Sequence, residues 1–184
     1  PVKMPAIKDL PGEGKALNVE IKNAEACPRY IGRIIRGVKN AESPEWLKTR
    51  LAAMGLNPKN ALVDVTNYVM FELGNPLHAF DLREVEGDTV IVRNAEEGEK
   101  FTVLGGRELT LNANCLMIAD TKKATALAGI MGGLDSGIKE DTKDIFIEAA
   151  YFNPPTINKT VKKFAISSDS SQRFERGTDI EGAM

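Results

Sequence analysis

The chain has 184 residues, of which 42% are hydrophobic, and this length is enough for one sizeable core or for two small cores joined together. Its formal net charge of −2 excludes a global cationic field, so nucleic acid can be bound only through a local patch or with the help of other domains. The sequence shows neither a signal peptide nor an apolar run near the roughly 18 residues of a membrane span, so we expect a cytoplasmic protein with no membrane partner.

The N-terminal part predicts a linker followed by a strand. Residues 1–26 carry proline and glycine with little periodicity, which is typical of a linker that comes from a preceding domain and leads into an extended segment. Residues 29–38 have the composition of a strand, and Tyr30, Ile34 and Ile35 are its candidates for the core.

Two helices are expected next. The first has Ser43 as its cap, a proline at its first position and its end at Gly55. The second covers residues 62–74, with Asp64 as its cap and Gly74 as its terminator. The apolar stripes expected to face the core are Trp46, Leu47, Leu51 and Met54 in the first helix, and Val65, Tyr68, Val69 and Leu73 in the second.

The second half of the chain predicts strands and then helices. Residues 89–152 contain short runs of apolar and β-branched residues separated by Gly, Asp and Lys turns, and the glycine pair at 105–106 marks a hairpin. Residues 153–166 begin with proline and predict a helix, and the serines and aspartate of residues 167–177 suit the cap of another segment. Strands clustered between helical ends indicate an α+β fold rather than alternating βαβ units.

Glu148 is a candidate binding residue because its strand is apolar on both faces. Alternation in the stretch IFIEAAYF places Phe146, Glu148 and Ala150 on one face, and the opposite face is equally apolar. Glu148 is therefore expected to be buried, and a buried carboxylate needs a donor because leaving it unpaired costs several kcal/mol. Two interpretations stay open: an internal ion pair or backbone contact, or a carboxylate at the bottom of a pocket that meets a donor of a ligand.

Three further stretches also allow two interpretations each. The glycines of residues 128–137 permit a ligand to lie against the backbone, but the stretch lacks the sequel of a P-loop and is equally typical of a turn. Arg173, Glu175 and Arg176 can form a surface ion-pair ladder or hold phosphates. His78 is expected in a loop after the second helix, and it has no neighbouring histidine or cysteine with which to form a triad, so a structural role stays open.

The two cysteines give no sign of a metal site. Cys27 and Cys115 are far apart and lack CxxC or CxxH spacing, which argues against zinc and against a disulfide scaffold. We expect both to be small buried hydrophobic residues in a reducing compartment.

Several long motifs, in a fixed order, resemble the editing domain of the β subunit of bacterial phenylalanyl-tRNA synthetase (phenylalanine–tRNA ligase). The resemblance covers about residues 27–179, and it implies a tRNA-editing domain at 27–184 that belongs to a larger β subunit. It also implies an α+β fold with three layers (ββα), in which helices pack outside a β-sandwich-like core. The motifs are SPEWLKTRLAAMGLNP, VDVTNYVMFELGNPLHAFD, GEKFTVLGGRELTLN, LMIADTKKATALAGIMGG, IFIEAAYF and SSDSSQRFERGTD.

The function implied by the resemblance is proofreading. The family's domain hydrolyses the ester of tyrosine that has been mischarged onto phenylalanine tRNA. The implied partners are the 3′ end of that tRNA, tyrosine as editing ligand, the synthetase α subunit and the remaining β-subunit domains, in a heterotetrameric parent enzyme. The parent enzyme attaches phenylalanine to its tRNA with ATP and magnesium, whereas no cofactor and no metal are implied for this domain.

The resemblance also assigns residues, position by position. His78 is implied as the catalytic residue. Ser168 and Ser170 fall where the family often has Thr and Ala, and Asn57 falls where some members carry an arginine near the tRNA end, with Lys59 as a candidate substitute. The implied substrate-binding residues are Asn67, Pro76, Gly129, Gly132, Glu148, Ser168 and Ser170.

These assignments give a hypothesis for selectivity and hydrolysis. Glu148 would accept the phenol O–H of tyrosine while a glycine N–H of residues 129–133 donates to the phenol oxygen, and phenylalanine would leave both unpaired at roughly 1–3 kcal/mol each. His78, held by the turn at Pro76, would orient the terminal ribose or the attacking water, or act as a modest general base. The alternatives are a module that binds an amino acid or tRNA end without hydrolysis, and a purely architectural domain with a filled interior around Glu148.

Overall fold

A computed structural model gives the structure of residue 12 and residues 14–182, so most of the first half of the predicted linker lies outside the described residues. The described part is a mixed α+β fold, which confirms the predicted fold class. Its four helices are α1 (Glu45–Ala53), α2 (Ala61–Leu73), α3 (Pro154–Phe164) and α4 (Asp169–Arg176). Its ten strands are β1 (Asn18–Ile21), β2 (Arg29–Ile35), β3 (Leu77–Asp81), β4 (Thr89–Asn94), β5 (Lys100–Thr102), β6 (Glu108–Thr110), β7 (Leu116–Ala119), β8 (Ala124–Leu127), β9 (Met131–Gly132) and β10 (Ile145–Tyr151).

The strands form two main sheets and one hairpin. The larger sheet has the order β1-β4-β7-β8-β9, and the smaller sheet has the order β2-β10-β3. The hairpin of β5 and β6 turns at the glycine pair 105–106, as predicted, and the Leu104 N–H donates to Gly132 O at 2.9 Å. Strand β1 pairs in parallel with β4, so the larger sheet extends into the stretch for which the sequence predicts a linker.

One hydrophobic core is shared by both sheets and the two C-terminal helices. It contains Val92 and Met117 from the larger sheet, Phe80 and Phe146 from the smaller sheet, and Ile157 and Phe174 from the helices. The two cysteines are buried free thiols within it, as predicted. Ile35 is not part of it, because β2 ends there and its side chain is 38% exposed. None of the helices in the described part combines the length and hydropathy that a bilayer crossing requires.

The predicted caps of α1 and α2 are wrong. Pro44, which has no side-chain acceptor, precedes α1, and Asn60 caps α2 by accepting from the Val63 N–H at 3.1 Å. Ser43 and Asp64 instead bond to each other: the Ser43 hydroxyl donates to Asp64 Oδ2 at 2.6 Å, and both side chains are buried. The predicted terminator of α2 is confirmed, since Gly74 has a φ of 77°.

The predicted apolar stripes are wrong at half of their positions. Leu47 and Leu51 are buried, but Trp46 is 55% exposed and packs edge-on against Tyr68 with ring centroids 5.5 Å apart. In α2 the buried side chains include Thr66 and Met70, because this helix packs against α1 and β3. The stripe that hydropathy alone favours therefore lies partly on the outer surface, and two polar residues of α2, Asp64 and Thr66, are buried. The stripe residues that are more than a third exposed are Trp46, Met54, Val65 and Leu73.

Candidate functional site

A cavity of about 520 Å³ lies where α2, β3, the β8–β9 turn, β10 and the start of α4 meet. All eight residues that the sequence analysis assigns to a site line this cavity, although they come from distant parts of the chain. They are Asn67, Pro76, His78, Gly129, Gly132, Glu148, Ser168 and Ser170. The fold thus brings the predicted residues together, and their roles stay predictions.

Glu148 is buried on β10, as its strand pattern predicts, with only 6% of its surface exposed. Its Oε2 accepts a hydrogen bond from the hydroxyl of Tyr30 on β2 at 2.7 Å. Among the described residues Oε1 has no hydrogen-bond partner, and no cation pairs with the carboxylate. Burial raises the pKa of Glu148 to about 7, and the hydrogen bond from Tyr30 opposes this rise. The interpretation as an internal ion pair is therefore wrong.

His78 lies in β3 and not in the predicted loop. Its strand is short and follows a Gly-Asn-Pro turn, and it exists because it pairs with β10, which local sequence does not reveal. His78 is the direct cross-strand partner of Glu148, a position that places the two Cβ atoms about 4.5–5.5 Å apart on one face of the sheet. The imidazole packs edge-on against Phe80 with ring centroids 4.4 Å apart.

The imidazole of His78 is neutral at physiological pH. Burial lowers its pKa to about 4, because a charged ring would lose its hydration in the cavity wall. Its Nε2 atom is buried and has no hydrogen-bond partner in the part of the chain that the structure describes. A neutral ring whose buried Nε2 has no partner can donate a hydrogen bond to a ligand or accept one from it, but with this pKa it is a weak base.

Glycine is favoured at two positions of the β8–β9 turn for different structural reasons. Gly129 has a φ of 68°, and a Cβ there would lie 2.8 Å from Phe152 and 2.9 Å from Phe174, so the core requires glycine. Gly132 has no positive φ, but a Cβ there would lie 3.1 Å from Cε1 of His78. The stretch is therefore both a turn and a close backbone neighbour of the imidazole.

The remaining predicted residues differ in how far they are already engaged. Ser168 caps α4 and its hydroxyl also donates to Ile130 O at 2.8 Å, so it anchors the glycine turn. The Ser170 hydroxyl contacts the sulfur of Met70 at 3.5 Å. Asn67 lines the cavity, and its amide has no hydrogen-bond partner among the described residues.

The charged candidates are arranged differently from the sequence prediction. Arg173 lies over the ring of Phe71, 4.2 Å from its centroid, and Glu175 accepts from the Asn158 amide at 2.7 Å. Arg173 also forms an ion pair with Asp169 at 3.7 Å, but within the described structure no ion pair joins Arg173, Glu175 and Arg176 to one another. Lys59 lines the cavity, whereas Asn57 does not.

Sequence reasoning missed Tyr30 as a site residue and assigned it only to the core. Its buried phenol hydroxyl was a signal, because such a group requires a hydrogen-bond partner. The partner could not be identified without the pairing of β2 with β10, which joins residues 118 positions apart.

Comparison with known proteins gives consistent matches. A family model described as "B3/4 domain" matches residues 26–184. The phenylalanine–tRNA ligase β subunit of Carboxydothermus hydrogenoformans is 51% identical over 166 residues, which are 90% of this chain and 21% of that protein. The β subunit of Salinibacter ruber is 46% identical over 180 residues, which are 96% of this chain and 22% of that protein. The resemblance found in the sequence motifs is thereby confirmed.

A solved structure shares the fold. It is an N-terminal fragment of the phenylalanyl-tRNA synthetase β subunit from Pyrococcus horikoshii, with a TM-score of 0.54 and 18% identity, covering 85% of this chain and 51% of that chain. The chain spans about a fifth of the length of the curated relatives that it matches.

The two turn glycines predict contrasting variants. Gly129→Ala combines a strained φ with a core clash, so we expect it to lower the free energy of unfolding by about 1–3 kcal/mol. Gly132→Ala should lower it by less than about 1 kcal/mol, because only the neighbouring ring must move. It should also shift the imidazole ¹H–¹⁵N signals of His78, which are unambiguous in a tag-free protein with one histidine. Unchanged imidazole signals in Gly132→Ala would contradict the contact.

The buried carboxylate predicts a stability that depends on pH. Since the folded-state pKa of Glu148 is raised from 4.5 to about 7, folding is progressively weakened as pH rises through this interval. At pH 8 the free energy of unfolding of Glu148→Gln should therefore exceed that of the parent by up to roughly 3 kcal/mol, and the variant should unfold at a higher urea concentration. Near pH 4 the two proteins should have the same stability. Urea titrations of both proteins across this range check the prediction. A difference that is the same at every pH would refute it.

Proposed function

The chain belongs to the B3/4 domain family, and from this we propose that it is the editing domain of a phenylalanine–tRNA ligase β subunit. The proposed activity is hydrolysis of the ester that joins mischarged tyrosine to phenylalanine tRNA. The observation that carries the proposal is the buried Glu148 carboxylate, which lines the cavity and keeps one oxygen without a partner in the described structure.

Selectivity for tyrosine follows from satisfying this carboxylate. The phenol O–H of tyrosine would donate to Oε1 of Glu148, and a backbone N–H of the glycine turn would donate to the phenol oxygen. The Gly129 N–H has no acceptor among the described residues, which makes it the candidate donor. Phenylalanine offers neither group, so its entry would leave Oε1 of the buried carboxylate without a donor, with Tyr30 still on Oε2, at a cost of roughly 1–3 kcal/mol. A site built around a hydroxyl therefore discriminates more strongly than a purely apolar pocket.

Hydrolysis requires a positioned water more than a strong base, because an aminoacyl ester is already activated. Water attacks the carbonyl carbon, the bond to the ribose oxygen breaks, and the proton released by the water ends on that oxygen. The neutral His78, with its unpartnered Nε2, is suited to orient the water or the terminal ribose by a hydrogen bond. A pKa of about 4 favours orientation over proton abstraction, and a hydroxyl of the tRNA itself can share the proton transfer.

The parent protein would supply what this chain lacks. In the proposal, ATP and magnesium serve aminoacylation in other parts of a cytoplasmic phenylalanine–tRNA ligase, which contains the α subunit and the remaining β-subunit domains. Within the described residues there is no group of three or more His, Cys, Asp or Glu side chains that could hold a metal ion. The 3′ end of the tRNA would enter the cavity beside Lys59 at the start of α2.

Two other functions use the same fold. An architectural domain needs no cavity at Glu148, so the space of about 520 Å³ beside that residue favours a ligand-binding domain. A module that binds without hydrolysis uses the same pocket, and only a measurement of turnover separates it from the proposal.

Removing the carboxylate tests selectivity. In the intact protein that carries this domain, Glu148→Ala should reduce the ratio of tyrosyl-tRNA to phenylalanyl-tRNA deacylation by about 10- to 100-fold, since each lost interaction is worth roughly 1–3 kcal/mol. Preformed esters and the absence of ATP keep aminoacylation out of the assay. In the parent protein the ratio should rise about tenfold between pH 6 and pH 8, because Glu148 ionises around pH 7 and only the carboxylate is a pure acceptor. An unchanged ratio in the variant would refute the assignment of Glu148.

Two substitutions of His78 separate orientation from proton transfer. His78→Ala should reduce deacylation of tyrosyl-tRNA by at least tenfold in single-turnover assays, whereas binding of free tyrosine should change less. His78→Gln retains a hydrogen-bonding group that cannot act as a base, so it should keep clearly more activity than the alanine variant. Full activity of His78→Ala would show that the histidine is merely structural, and equal losses in both variants would contradict the orienting role.

A further inference from the structure

We infer that Tyr30 is a positioning and specificity-determining residue, whose hydroxyl occupies Oε2 of Glu148 and thereby reserves Oε1 for the hydroxyl of a bound ligand. The inference rests on the proposed function, because it takes this ligand hydroxyl to be the phenol of tyrosine. It adds to that function a second protein group, the Tyr30 hydroxyl, which does not line the cavity but fixes the orientation of the Glu148 carboxylate.

The contact between Tyr30 and Glu148 is fixed by strand pairing. In the β2–β10 ladder Tyr30 lies opposite Ala150 and Gly32 lies opposite Glu148, so the tyrosine reaches the carboxylate diagonally across the two strands. The Oη–Oε2 distance is 2.7 Å, and both side chains are buried. Such a bond to a carboxylate inside the protein is stronger than the same bond in water.

The ring of Tyr30 is itself held in place. It lies nearly parallel to Phe146, with an interplanar angle of 16° and centroids 6.5 Å apart. Phe146 in turn covers Gly32, where a Cβ would come within 2.1 Å of its ring. Glycine at position 32 therefore lets the Phe146 ring lie over β2 beside Tyr30. The hydroxyl is presented to Glu148 by packing and not by a flexible side chain.

This arrangement limits what Glu148 can bind. A carboxylate with two open oxygens can rotate and accept from water or from donors in several directions, and ordering it on binding would cost entropy. With Oε2 committed, the orientation of the carboxylate is fixed before a ligand arrives, and one acceptor remains. The hydrogen bond also favours the ionised form of Glu148, which can only accept, over the protonated form, which can donate.

None of the other described titratable groups around the cavity donates a hydrogen bond to the Glu148 carboxylate. Cys27 beside β2 is buried and bonds to the Arg29 carbonyl, and the pKa of its thiol is raised to about 12, mainly by burial. His78 on β3 is neutral, and Lys59 and Asp169 also line the cavity, but in the described structure neither of them bonds to the carboxylate. Among the described residues Tyr30 is the one donor to the carboxylate.

The test compares Tyr30→Phe with the matched control Tyr151→Phe in this chain, using free L-tyrosine and L-phenylalanine as probes in equilibrium binding. Both variants lose one phenol hydroxyl and keep the ring, but Tyr151 lies on the opposite face of β10. We expect Tyr30→Phe to reduce the preference for tyrosine at pH 7 about tenfold. Because the hydrogen bond from Tyr30 lowers the pKa of Glu148, the preference in this variant should also increase only at higher pH than in the parent. Tyr151→Phe should match the parent. In the double variant Tyr30→Phe/Glu148→Ala, the preference for tyrosine should be no lower than in Glu148→Ala alone. The reason is that both substitutions remove the same interaction, the one between the ligand hydroxyl and the oriented carboxylate.

Deacylation by the intact protein distinguishes failure of the inference from failure of the proposed function. If tyrosine is preferred in binding and the preference depends on Tyr30, but tyrosyl-tRNA is not hydrolysed, the inference holds and the hydrolytic function is wrong. If tyrosyl-tRNA is hydrolysed selectively and Tyr30→Phe keeps the full preference, the inference is overturned and the function holds. Additive effects in the double variant, or a parent chain with no preference between the two amino acids, would also overturn the inference.

Discussion

The hydrogen bond between Tyr30 and Glu148 is the interaction on which the organisation of the pocket depends. A carboxylate without any donor in the interior would cost several kcal/mol, and one fully paired with a cation would have no capacity left for a ligand. A single buried donor at 2.7 Å gives an intermediate state: the acid is tolerated, its orientation is fixed, and one oxygen is left over. The raised pKa of Glu148 reflects the residual cost of burial that this one bond does not remove.

The three-stranded sheet converts this bond into a site. Strand β10 lies between β2 and β3, so Glu148 has Tyr30 on one side and His78 on the other. Asp81, at the end of β3, is held by Arg83 and by the Thr142 hydroxyl at 2.7 Å, which fixes the strand that carries the imidazole. Gly132, in β9 of the larger sheet, lies close to the imidazole of His78. Both sheets and the start of α4 thus contribute to one cavity, although few of its residues are close in sequence.

Much of the fold was predictable where the local pattern is strong. The alternation in residues 145–152 predicted a buried Glu148, and the glycine pair at 105–106 predicted the hairpin. The apolar stripes of α1 and α2 were wrong at half of their positions, and in α2 the reason is that hydropathy alone does not show that this helix turns polar residues such as Asn67 towards a cavity. The strand that carries His78 could not be predicted, since it exists through pairing with a strand nearly 70 residues later. Local pattern made Glu148 a candidate, but the full set of site residues came from family resemblance, and Tyr30 was missed because its role depends on that same long-range pairing.

A structure of this chain with L-tyrosine bound would show directly whether Oε1 of Glu148 receives the ligand hydroxyl. We expect a phenol oxygen about 2.5–3.0 Å from Oε1 of Glu148, with the Tyr30 hydroxyl still on Oε2 and the α-carboxyl end of the ligand directed towards His78. A ligand ring that lies elsewhere in the cavity, or a phenol that displaces Tyr30 from the carboxylate, would contradict it.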